Sequence, residues 1–364
     1  MRSMHIIGSR ELGGAESFFL RLLPALAAHA GHEVVAVTRR NGKVGAQLSP
    51  IIAQHTVPLR NAWDLGSILA IRALIRQHRP DIVQTYMGRA TRLTRVPKDC
   101  GAIHVARLGA YYKIDGYYRH ADAWIGNTLG ICDYLVRQGL SASRVFHVGN
   151  FVDVPAPTPA GTLREFRCAY AIPDNARVIL ALGRFVEKKG FRDLLTAFAQ
   201  LPASYQSQPL ILVLAGDGPL RAALLRQADE LGLTGRLRWV GWHTQPGPLF
   251  HLADIFVCPS LDEPLGNVIL EAWAHGVPVV STATDGAREL MQDEVNGLVA
   301  PTATPAMLGR RMADLLVAIP RERHRLVAAG RAQIEQHHSR DVVSQRYCDV
   351  YGQLLADSVT PVAT

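Results

Sequence analysis

The sequence predicts an α/β fold with two Rossmann-like domains, each a parallel sheet with helices on both faces. Short apolar segments typical of buried strands alternate with longer segments of helical periodicity along the chain. A proline-rich stretch at residues 150–162 separates two such series and is typical of a linker. The chain has 364 residues, 48% of them hydrophobic, which is enough for two cores of ordinary size.

The first series of segments predicts the N-terminal domain. We expect helices at 15–30 and 65–77, and a short helix at 89–96 that Pro97 ends. The predicted strands are 5–8, 33–38, 81–85, 102–107, 123–125 and 144–147.

The second series predicts the C-terminal domain, in which a turn and usually a helix follow each strand. A last helix is expected at about 340–355. The predicted strands are 177–182, 210–215, 237–240, 255–258 and 277–280. Because parallel strands end at one edge of a sheet, polar residues that follow them are expected to lie close together.

The most informative segment is 260–282, which places Glu263 and Glu271 eight residues apart across a helix start. Gly266 and Asn267 are typical of the entry to that helix, and an apolar run follows them. Free amides at a helix start, with the positive end of the helix dipole, bind anions. Glutamates accept hydrogen bonds from hydroxyls. The combination predicts a ligand with phosphate and sugar parts, such as a nucleotide sugar.

This segment resembles the signature of two glutamates separated by seven residues in the retaining glycosyltransferases of family 4. Further segments resemble motifs of the same family and occur in the family's order. They are Gly13-Gly14-Ala15-Glu16, Gly183-Arg184 followed by Lys189-Gly190, Ala215-Gly216-Asp217-Gly218-Pro219, and Ala253-Asp254 leading into Val257-Cys258-Pro259-Ser260. Five signatures in order are a far stronger sign than any one of them.

The resemblance implies the GT-B architecture, in which two Rossmann-like domains with parallel sheets face each other across a cleft. It implies an acceptor-binding domain at 1–153 and a nucleotide-sugar-binding domain at 163–338. A C-terminal helix at 339–364 is expected to cross back to the N-terminal domain.

The resemblance also assigns catalytic roles to Arg184, Lys189 and Glu263. The two basic side chains would stabilise the leaving nucleotide diphosphate as its negative charge grows, so that neither a metal ion nor another cofactor is required. Glu263 would accept hydrogen bonds from the sugar and hold its ring, while Glu271 would accept them from the ribose.

The remaining donor contacts implied by the resemblance involve the backbone. Gly183 would let the chain approach the phosphates closely, and Gly13 and Gly14 would do so from the N-terminal domain. Glu16 is expected to bind the acceptor. The helix-start amides of Leu265, Gly266 and Asn267 would donate to the donor, and Pro264 belongs to the same donor-binding segment.

Simpler interpretations exist for these charges. Glu263 could serve only as a helix-dipole partner, Glu271 could lie on a solvated helix face, and Arg184 and Lys189 could be surface charges. All four residues follow predicted strand ends, where open parallel sheets bind ligands, and this favours a binding site.

One position departs from the family pattern. Many members carry a histidine where Gly109 stands here, and His104 is predicted to be packed within its strand. Retention of anomeric configuration implies attack from the face that the leaving group occupies, where the leaving phosphate itself can take the acceptor proton. The change therefore does not exclude catalysis, but it leaves the base unassigned.

Positive charge is concentrated in the N-terminal half. Residues 1–150 contain 19 Lys or Arg against 9 Asp or Glu, whereas residues 151–364 contain 20 against 22. Arg89, Arg92, Arg95 and Lys98 follow a spacing of three that would place their charges on one side of a helix. This pattern fits an anionic membrane surface or simply a solvated basic face. No nucleic-acid-binding motif accompanies the charge, so no nucleic-acid partner is expected.

The sequence also indicates where the protein works. We find no signal peptide and no apolar stretch near the roughly 18 residues of a membrane span. The five cysteines, at 100, 132, 168, 258 and 348, lack the spacing of a disulfide framework or a zinc site. A cytoplasmic protein is expected, with peripheral association at the inner face of the cytoplasmic membrane.

Three functions remain open on the sequence. The leading one is a glycosyltransferase, of hexosyltransferase type, that uses a UDP- or GDP-sugar and a lipid-linked or lipopolysaccharide core acceptor. The alternatives are a nucleotide-sugar epimerase of the same architecture and a non-catalytic nucleotide-sugar-binding protein.

Overall fold

The computed structural model describes residues 1–359, and they fold into two compact units. Among the described residues, the first unit contains residues 1–151 and 337–359, and the second contains residues 152–336. Each is an α/β unit built on a parallel sheet, so the two Rossmann-like domains are confirmed.

The first unit is built on seven parallel strands in the order β3-β2-β1-β4-β5-β6-β7. The strand order reverses between the neighbours β1 and β4, which pair from Ser3 with Ile82 to Ile7 with Tyr86. The strands are β1 (Arg2–Ile7), β2 (Glu33–Arg39), β3 (Ala53–Val57), β4 (Ile82–Tyr86), β5 (Ile103–Leu108), β6 (Ala123–Gly126) and β7 (Val145–His147).

Helices cover this sheet because their apolar positions recur at helical spacing. Phe18, Phe19, Leu22 and Leu26 of the first helix are fully buried at this spacing. The helices are α1 (Gly14–Ala27), α2 (Leu65–His78), α3 (Met87–Leu93) and α4 (Leu129–Arg137).

The second unit contains six parallel strands in the order β11-β10-β8-β12-β13-β14, and a short strand, β9, pairs antiparallel with β10. The order reverses between the neighbours β8 and β12. The strands are β8 (Arg177–Leu182), β9 (Ser204–Tyr205), β10 (Gln208–Ala215), β11 (Leu237–Gly241), β12 (Ile255–Cys258), β13 (Val279–Thr282) and β14 (Leu298–Ala300).

Two apolar cores form in this unit, one on each face of the sheet, as expected for strands buried on both sides. The helices are α5 (Ala160–Ala169), α6 (Phe191–Ala199), α7 (Arg221–Glu230), α8 (Gly247–Leu252), α9 (Asn267–Ala274), α10 (Asp285–Leu290), α11 (Pro305–Val317) and α12 (Pro320–Gln333).

The last helix, α13 (Arg340–Val359), belongs to the first unit and packs against α1. Its buried side chains, Val343, Tyr347, Tyr351 and Leu354, recur at intervals of three and four and form one face. The predicted segment at 339–364 ends with residues 360–364, which lie outside the described residues.

Several sequence-based boundaries were wrong. The helix predicted at 89–96 is α3 and ends at Leu93, four residues before Pro97. The predicted linker at 150–162 overlaps α5, which begins at Ala160. The strand predicted at 277–280 is β13 and starts two residues later, after Pro278, since proline lacks the amide hydrogen needed in a sheet. Strand β3 was missed because most of its side chains are polar and exposed.

Candidate active site

The predicted donor-site residues follow β8 and β12, the two strands between which the order of the second sheet reverses. These strands are hydrogen-bonded neighbours, with Ile179 paired to Ile255 and Leu180 paired to Phe256. The segments after their carboxyl ends therefore lie side by side. An open parallel sheet binds ligands at this reversal point because the two loops diverge there and leave a crevice.

The loop after β8 contains Gly183, Arg184, Lys189 and Gly190. Lys189 folds back over the start of the loop, and a Cβ at Gly183 would lie 3.8 Å from the Lys189 Cδ atom. Gly190 is the N-cap of α6 and has a φ angle of 65°, and a Cβ there would lie 1.9 Å from the carbonyl oxygen of Pro259. Only glycine allows the two loops to approach this closely.

The Lys189 ammonium donates a short hydrogen bond to the Glu263 carboxylate, so the two loops are joined by an ion pair. The Ser260 hydroxyl lies 3.5 Å from the same carboxylate oxygen. The side chains of Lys189 and Glu263 are only 20% and 17% exposed. At this depth, charge interactions are stronger than at an open surface.

The environment of Lys189 keeps it charged. Burial is the largest single influence and lowers the pKa of the ammonium, but the Glu263 charge and hydrogen bond, with smaller contributions from Cys258 and Asp262, outweigh it. The net result is a pKa above the ordinary lysine value. Lys189 is therefore a fixed cation at neutral pH.

The helix predicted after Glu263 is α9, and Gly266 and Asn267 are its N-cap and first residue, as the sequence predicts. Pro264 and Leu265 lead into it. The backbone carbonyl of Glu263 accepts a hydrogen bond of 2.9 Å from the amide of Gly286 at the start of α10. This bond fixes the loop that carries Glu263.

Glu271 lies in the second turn of α9 and is half-buried, and its backbone carbonyl accepts a hydrogen bond from His275. The Arg184 side chain is exposed and has no hydrogen-bond or ion-pair partner within residues 1–359. The structure thus joins Lys189 to Glu263 directly and places Gly183 against Lys189. Glu271 lies on α9, the helix that follows the Glu263 loop.

Several residues of this arrangement were missed by the sequence analysis. Ser260 reaches Glu263, Thr282 donates to the Ser260 carbonyl and Gly286 anchors the Glu263 loop. Thr282 ends β13 and Gly286 is the second residue of α10, which follows it, so their position near a strand end was the available signal. Their roles depend on contacts between loops that are distant in sequence.

In the first unit, the glycine-rich loop follows β1, at the point where that sheet reverses its order. Gly13 precedes α1 and Gly14 is its first residue. Glu16 is 6% exposed, and a Cβ at Gly13 would lie 2.9 Å from its carboxylate oxygen. Glu16 and Arg107 both act on the pKa of the Tyr112 phenol, which burial raises.

Two buried polar residues at the carboxyl edge of the same sheet were not predicted. The Arg107 side chain is 3% exposed, and its guanidinium donates hydrogen bonds to the Tyr347 hydroxyl and to the Asn150 side-chain oxygen. Asn127 is 4% exposed, and its side-chain oxygen has no hydrogen-bond partner within residues 1–359. A Cβ at Gly109 would lie 3.5 Å from the Asn127 amide nitrogen. An acceptor group without a partner is available to a ligand hydroxyl.

His104 lies within β5, as predicted, and is 2% exposed. Its ring bonds to the Thr85 hydroxyl at 3.0 Å. Burial, with smaller effects from His120 and Arg95, lowers its pKa to about 3. A neutral and enclosed imidazole is typical of a core histidine. His104 therefore does not take the place of the family histidine, whose position Gly109 occupies in this chain.

The basic face expected at residues 89–98 does not form as a helical stripe, because α3 ends at Leu93. Arg89 donates to the carbonyls of Gly8 and Leu59, and Arg92 donates to those of Ala62 and Gly116. These two guanidinium groups therefore hold neighbouring loops. Arg95 and Lys98 remain exposed.

Residues 1–359 contain neither a metal-ligand cluster nor a membrane-spanning helix. No group of three or more His, Cys, Asp or Glu side chains in that range has the geometry to hold a metal ion. No helix in that range combines the length and the apolar content needed to cross a bilayer. The expectation that catalysis needs no metal stays a prediction.

Comparison with protein families yields two matches that together span most of the chain. The family described as Glycosyltransferase Family 4 matches residues 12–155, and the one described as Glycosyl transferases group 1 matches residues 164–333. The chain is also similar to the lipopolysaccharide core biosynthesis glycosyltransferase LpsE of Rhizobium meliloti (strain 1021). The two are 35% identical over 350 residues, which cover 94% of this chain and 96% of LpsE.

Solved structures share the fold over nearly the whole chain. A glycosyltransferase from Rickettsia africae ESF-5 superposes with a TM-score of 0.85 at 17% identity, covering 97% of this chain and 98% of that one. Anabaena HepE in complex with UDP and glucose superposes with a TM-score of 0.82 at 19% identity, covering 97% and 100%. These likenesses confirm the GT-B fold class.

Proposed function

Because the chain belongs to glycosyltransferase family 4, we propose that it transfers a hexosyl group from a UDP- or GDP-sugar to a membrane-linked glycan, with retention of anomeric configuration. The acceptor that we propose is the lipopolysaccharide core. LpsE, whose name places it in core biosynthesis, supports this choice because the similarity spans both proteins almost completely.

The observation that carries the proposal is the ion pair between Lys189 and Glu263 at the reversal point of the second sheet. Breaking the bond from the sugar to the diphosphate increases the negative charge on the leaving oxygen. A lysine that stays protonated can stabilise that charge, and Arg184 from the same loop can add a second cation. In this proposal no metal ion is needed.

The backbone of the same region would hold the rest of the donor. The amides of Leu265, Gly266 and Asn267 lie at the start of α9, where the helix dipole favours an anion. Pro264 precedes them and contributes only its position, because proline lacks an N–H. Glu263 would accept from the sugar hydroxyls and Glu271 from the ribose. Trp242, 59% exposed just after β11, is available to stack against the base.

Proton transfer in this proposal does not require a side-chain base. In a retaining reaction with attack from the side of the leaving group, the departing phosphate oxygen accepts the proton from the acceptor hydroxyl. The hydroxyl oxygen forms the new bond to the anomeric carbon as the bond to phosphate breaks. Two features of this chain agree with a reaction that has no side-chain base. Gly109 occupies the position of the family histidine, and His104 is buried and neutral.

The first unit would bind the acceptor. Glu16 and the unpartnered Asn127 oxygen offer acceptors to sugar hydroxyls, and the Tyr112 phenol lies near Glu16. Gly13 and Gly14 are proposed to approach the donor phosphates. We place the reaction in the cytoplasm, at the inner face of the cytoplasmic membrane, because that membrane would hold the lipid-linked acceptor that we propose.

The test is incubation of the protein with labelled UDP-glucose, UDP-N-acetylglucosamine and GDP-mannose, with and without truncated lipopolysaccharide. Transfer of label to the lipopolysaccharide, with the anomeric configuration of the product read by NMR, is the expected result. Isomerised donor would show an epimerase, and binding without turnover would show a non-catalytic protein. Either of these two results contradicts the proposal.

A further inference from the structure

Three arginines lie at the carboxyl edge of the first sheet, where its strand order reverses. Arg10 lies in the loop after β1, Arg39 ends β2, and Arg89 lies in the first turn of α3, which follows β4. Strand β1 lies between β2 and β4, so the three side chains come from three adjacent strand ends. We refer to these three residues as the arginine site. Open parallel sheets bind ligands at such a position.

Gly8 separates Arg39 from Arg89. The register of β1 and β2 pairs Ile6 with Val37, so Gly8 lies beside Arg39 two residues further on. On its other side, a Cβ at Gly8 would lie 3.6 Å from the Arg89 Cβ atom and 3.5 Å from the Arg89 Cδ atom. Two arginines therefore flank a residue that places no side chain between them.

Backbone contacts bring Arg10 to the same place. Its carbonyl accepts a hydrogen bond of 3.0 Å from the amide of Lys43, in the turn that follows Arg39. A Cβ at Gly42 in this turn would lie 2.8 Å from the Ser9 carbonyl oxygen and 3.5 Å from the Arg39 Cβ atom. The loop after β1 and the turn after β2 are therefore in direct contact.

The positive charges of the arginine site act on one another. Glu11 is the acidic residue within three positions of these arginines in sequence, and its carboxylate pairs with Lys43. Burial lowers the pKa of the Arg39 guanidinium, and the charges of Arg89 and Arg10 lower it further. Repulsion of this kind destabilises the unliganded protein, and an anion bound among the three groups would relieve it.

The guanidinium groups have hydrogen-bond donors available to such an anion. The Arg89 NH1 nitrogen donates to the carbonyls of Gly8 and Leu59, which holds the side chain in place. Within residues 1–359, its NH2 nitrogen has no hydrogen-bond partner, and neither have the guanidinium groups of Arg10 and Arg39. A guanidinium with two free N–H groups matches the paired oxygens of a carboxylate or a phosphate.

We propose that the arginine site binds an acidic group, a carboxylate or a phosphate, of the acceptor glycan. The inference rests on the proposed function, because Arg10 shares the loop after β1 with the segment that leads to Glu16, the expected acceptor-binding residue. The diphosphate of the donor has its own cations in the second unit. The acceptor class is thereby narrowed to glycans that carry negative charge.

The experiment measures transfer by the full chain to a water-soluble core oligosaccharide in three forms. One form is untreated, one has lost its phosphates to aqueous hydrogen fluoride, and one has its carboxyl groups reduced to alcohols. Arg39→Gln is expected to raise the KM for the untreated acceptor about tenfold or more and to leave the KM for the donor unchanged. Its effect should vanish for the form that lacks the bound group, which distinguishes phosphate from carboxylate.

Arg40→Gln is the matched control, because it removes the same charge from the next, exposed position, whose backbone amide bonds to the Val57 carbonyl. It is expected to leave the KM for the acceptor unchanged at about 0.15 M salt, where exposed charges are screened beyond about 8 Å. Arg39→Gln should keep or raise the melting temperature, because it relieves repulsion, whereas the loss of a merely structural residue would lower it.

Three results would overturn the proposal. They are an acceptor KM that Arg39→Gln does not change, a rise in the donor KM in its place, and an equal loss of activity with all three forms of the acceptor. The last result would show a general structural role for Arg39.

Calorimetric titration with the untreated oligosaccharide separates this proposal from the proposed function. If no donor supports transfer, but the oligosaccharide binds more weakly to the Arg39→Gln variant than to the unchanged protein, the proposed function fails and the arginine site stands. If transfer proceeds and depends neither on Arg39 nor on the acidic groups of the acceptor, the arginine site fails alone.

Discussion

Replacement of Lys189 by Met tests the donor site most specifically, because it removes the ammonium and keeps most of the alkyl chain. The Lys189 side chain is 20% exposed, so an effective dielectric constant near 20 applies, and a unit charge about 4 Å away contributes about 4 kcal/mol. The leaving diphosphate gains somewhat less than one unit of charge in the transition state. The expected loss is therefore about 3 kcal/mol, or about 150-fold in kcat/KM.

The cost to folding is expected to be smaller. The Lys189→Met substitution would leave the Glu263 carboxylate without its cation, but Ser260 remains 3.5 Å away and the carboxylate keeps some contact with water. We expect a loss of about 1–2 kcal/mol of stability, between the values for exposed and buried ion pairs. The protein should therefore remain folded while its turnover falls.

The assay is the initial rate of sugar transfer at several donor concentrations, with thermal unfolding recorded on the same preparations. Lys188→Met is the matched control, because Lys188 is the adjacent, exposed lysine whose backbone carbonyl, not its side chain, contacts the Glu263 loop. It is expected to retain full activity. A Lys189→Met variant that is folded and as active as the Lys188→Met variant would refute the electrostatic role.

Three further predictions concern pH and packing. Glu263→Gln removes the charge that raises the pKa of Lys189 and leaves burial, which lowers it, so the alkaline fall of kcat/KM should move to lower pH in a pH–rate profile. Gly190→Ala should lower the melting temperature and the activity far more than Gly232→Ala, since both residues have positive φ but only the first Cβ would collide with a carbonyl oxygen. The pKa of His104 is about 3 in the folded protein and near 6.5 in the unfolded chain. The contribution of the neutral ring to the free energy of unfolding is therefore present above pH 6.5 and is lost as the pH falls toward 3. Between pH 7 and pH 4, urea unfolding should show that the His104→Gln variant loses about 2–4 kcal/mol less stability than the unchanged protein.

Much of the fold could be predicted because buried parallel strands have a strong sequence signal. Strands β8 and β12 begin and end where the apolar runs 177–182 and 255–258 begin and end. The signal fails at the edges of the sheets. Strand β3 is largely exposed and polar, and β14 has three residues, so neither shows the continuous apolar run of a central strand.

The candidate site was predicted in part for a similar reason. Motif order and strand ends indicated that Lys189 and Glu263 would converge, and the structure joins them. The support from Ser260 and Gly286 was not predictable, because it depends on how closely three loops approach one another. Similarly, three-residue spacing predicted a basic face for Arg89 and Arg92, but their guanidinium groups bind loop carbonyls that no local pattern reveals.

The central claim is that one nucleotide sugar is bound at the reversal point of the second sheet, and a crystal structure with an unhydrolysed donor analogue tests it most directly. We expect the diphosphate within hydrogen-bond distance of the Lys189 Nζ atom and the Arg184 guanidinium, with the sugar hydroxyls at Glu263 and the ribose at Glu271. A donor bound elsewhere, with the bond between Lys189 and Glu263 unchanged and Arg184 not in contact with phosphate, would contradict the account.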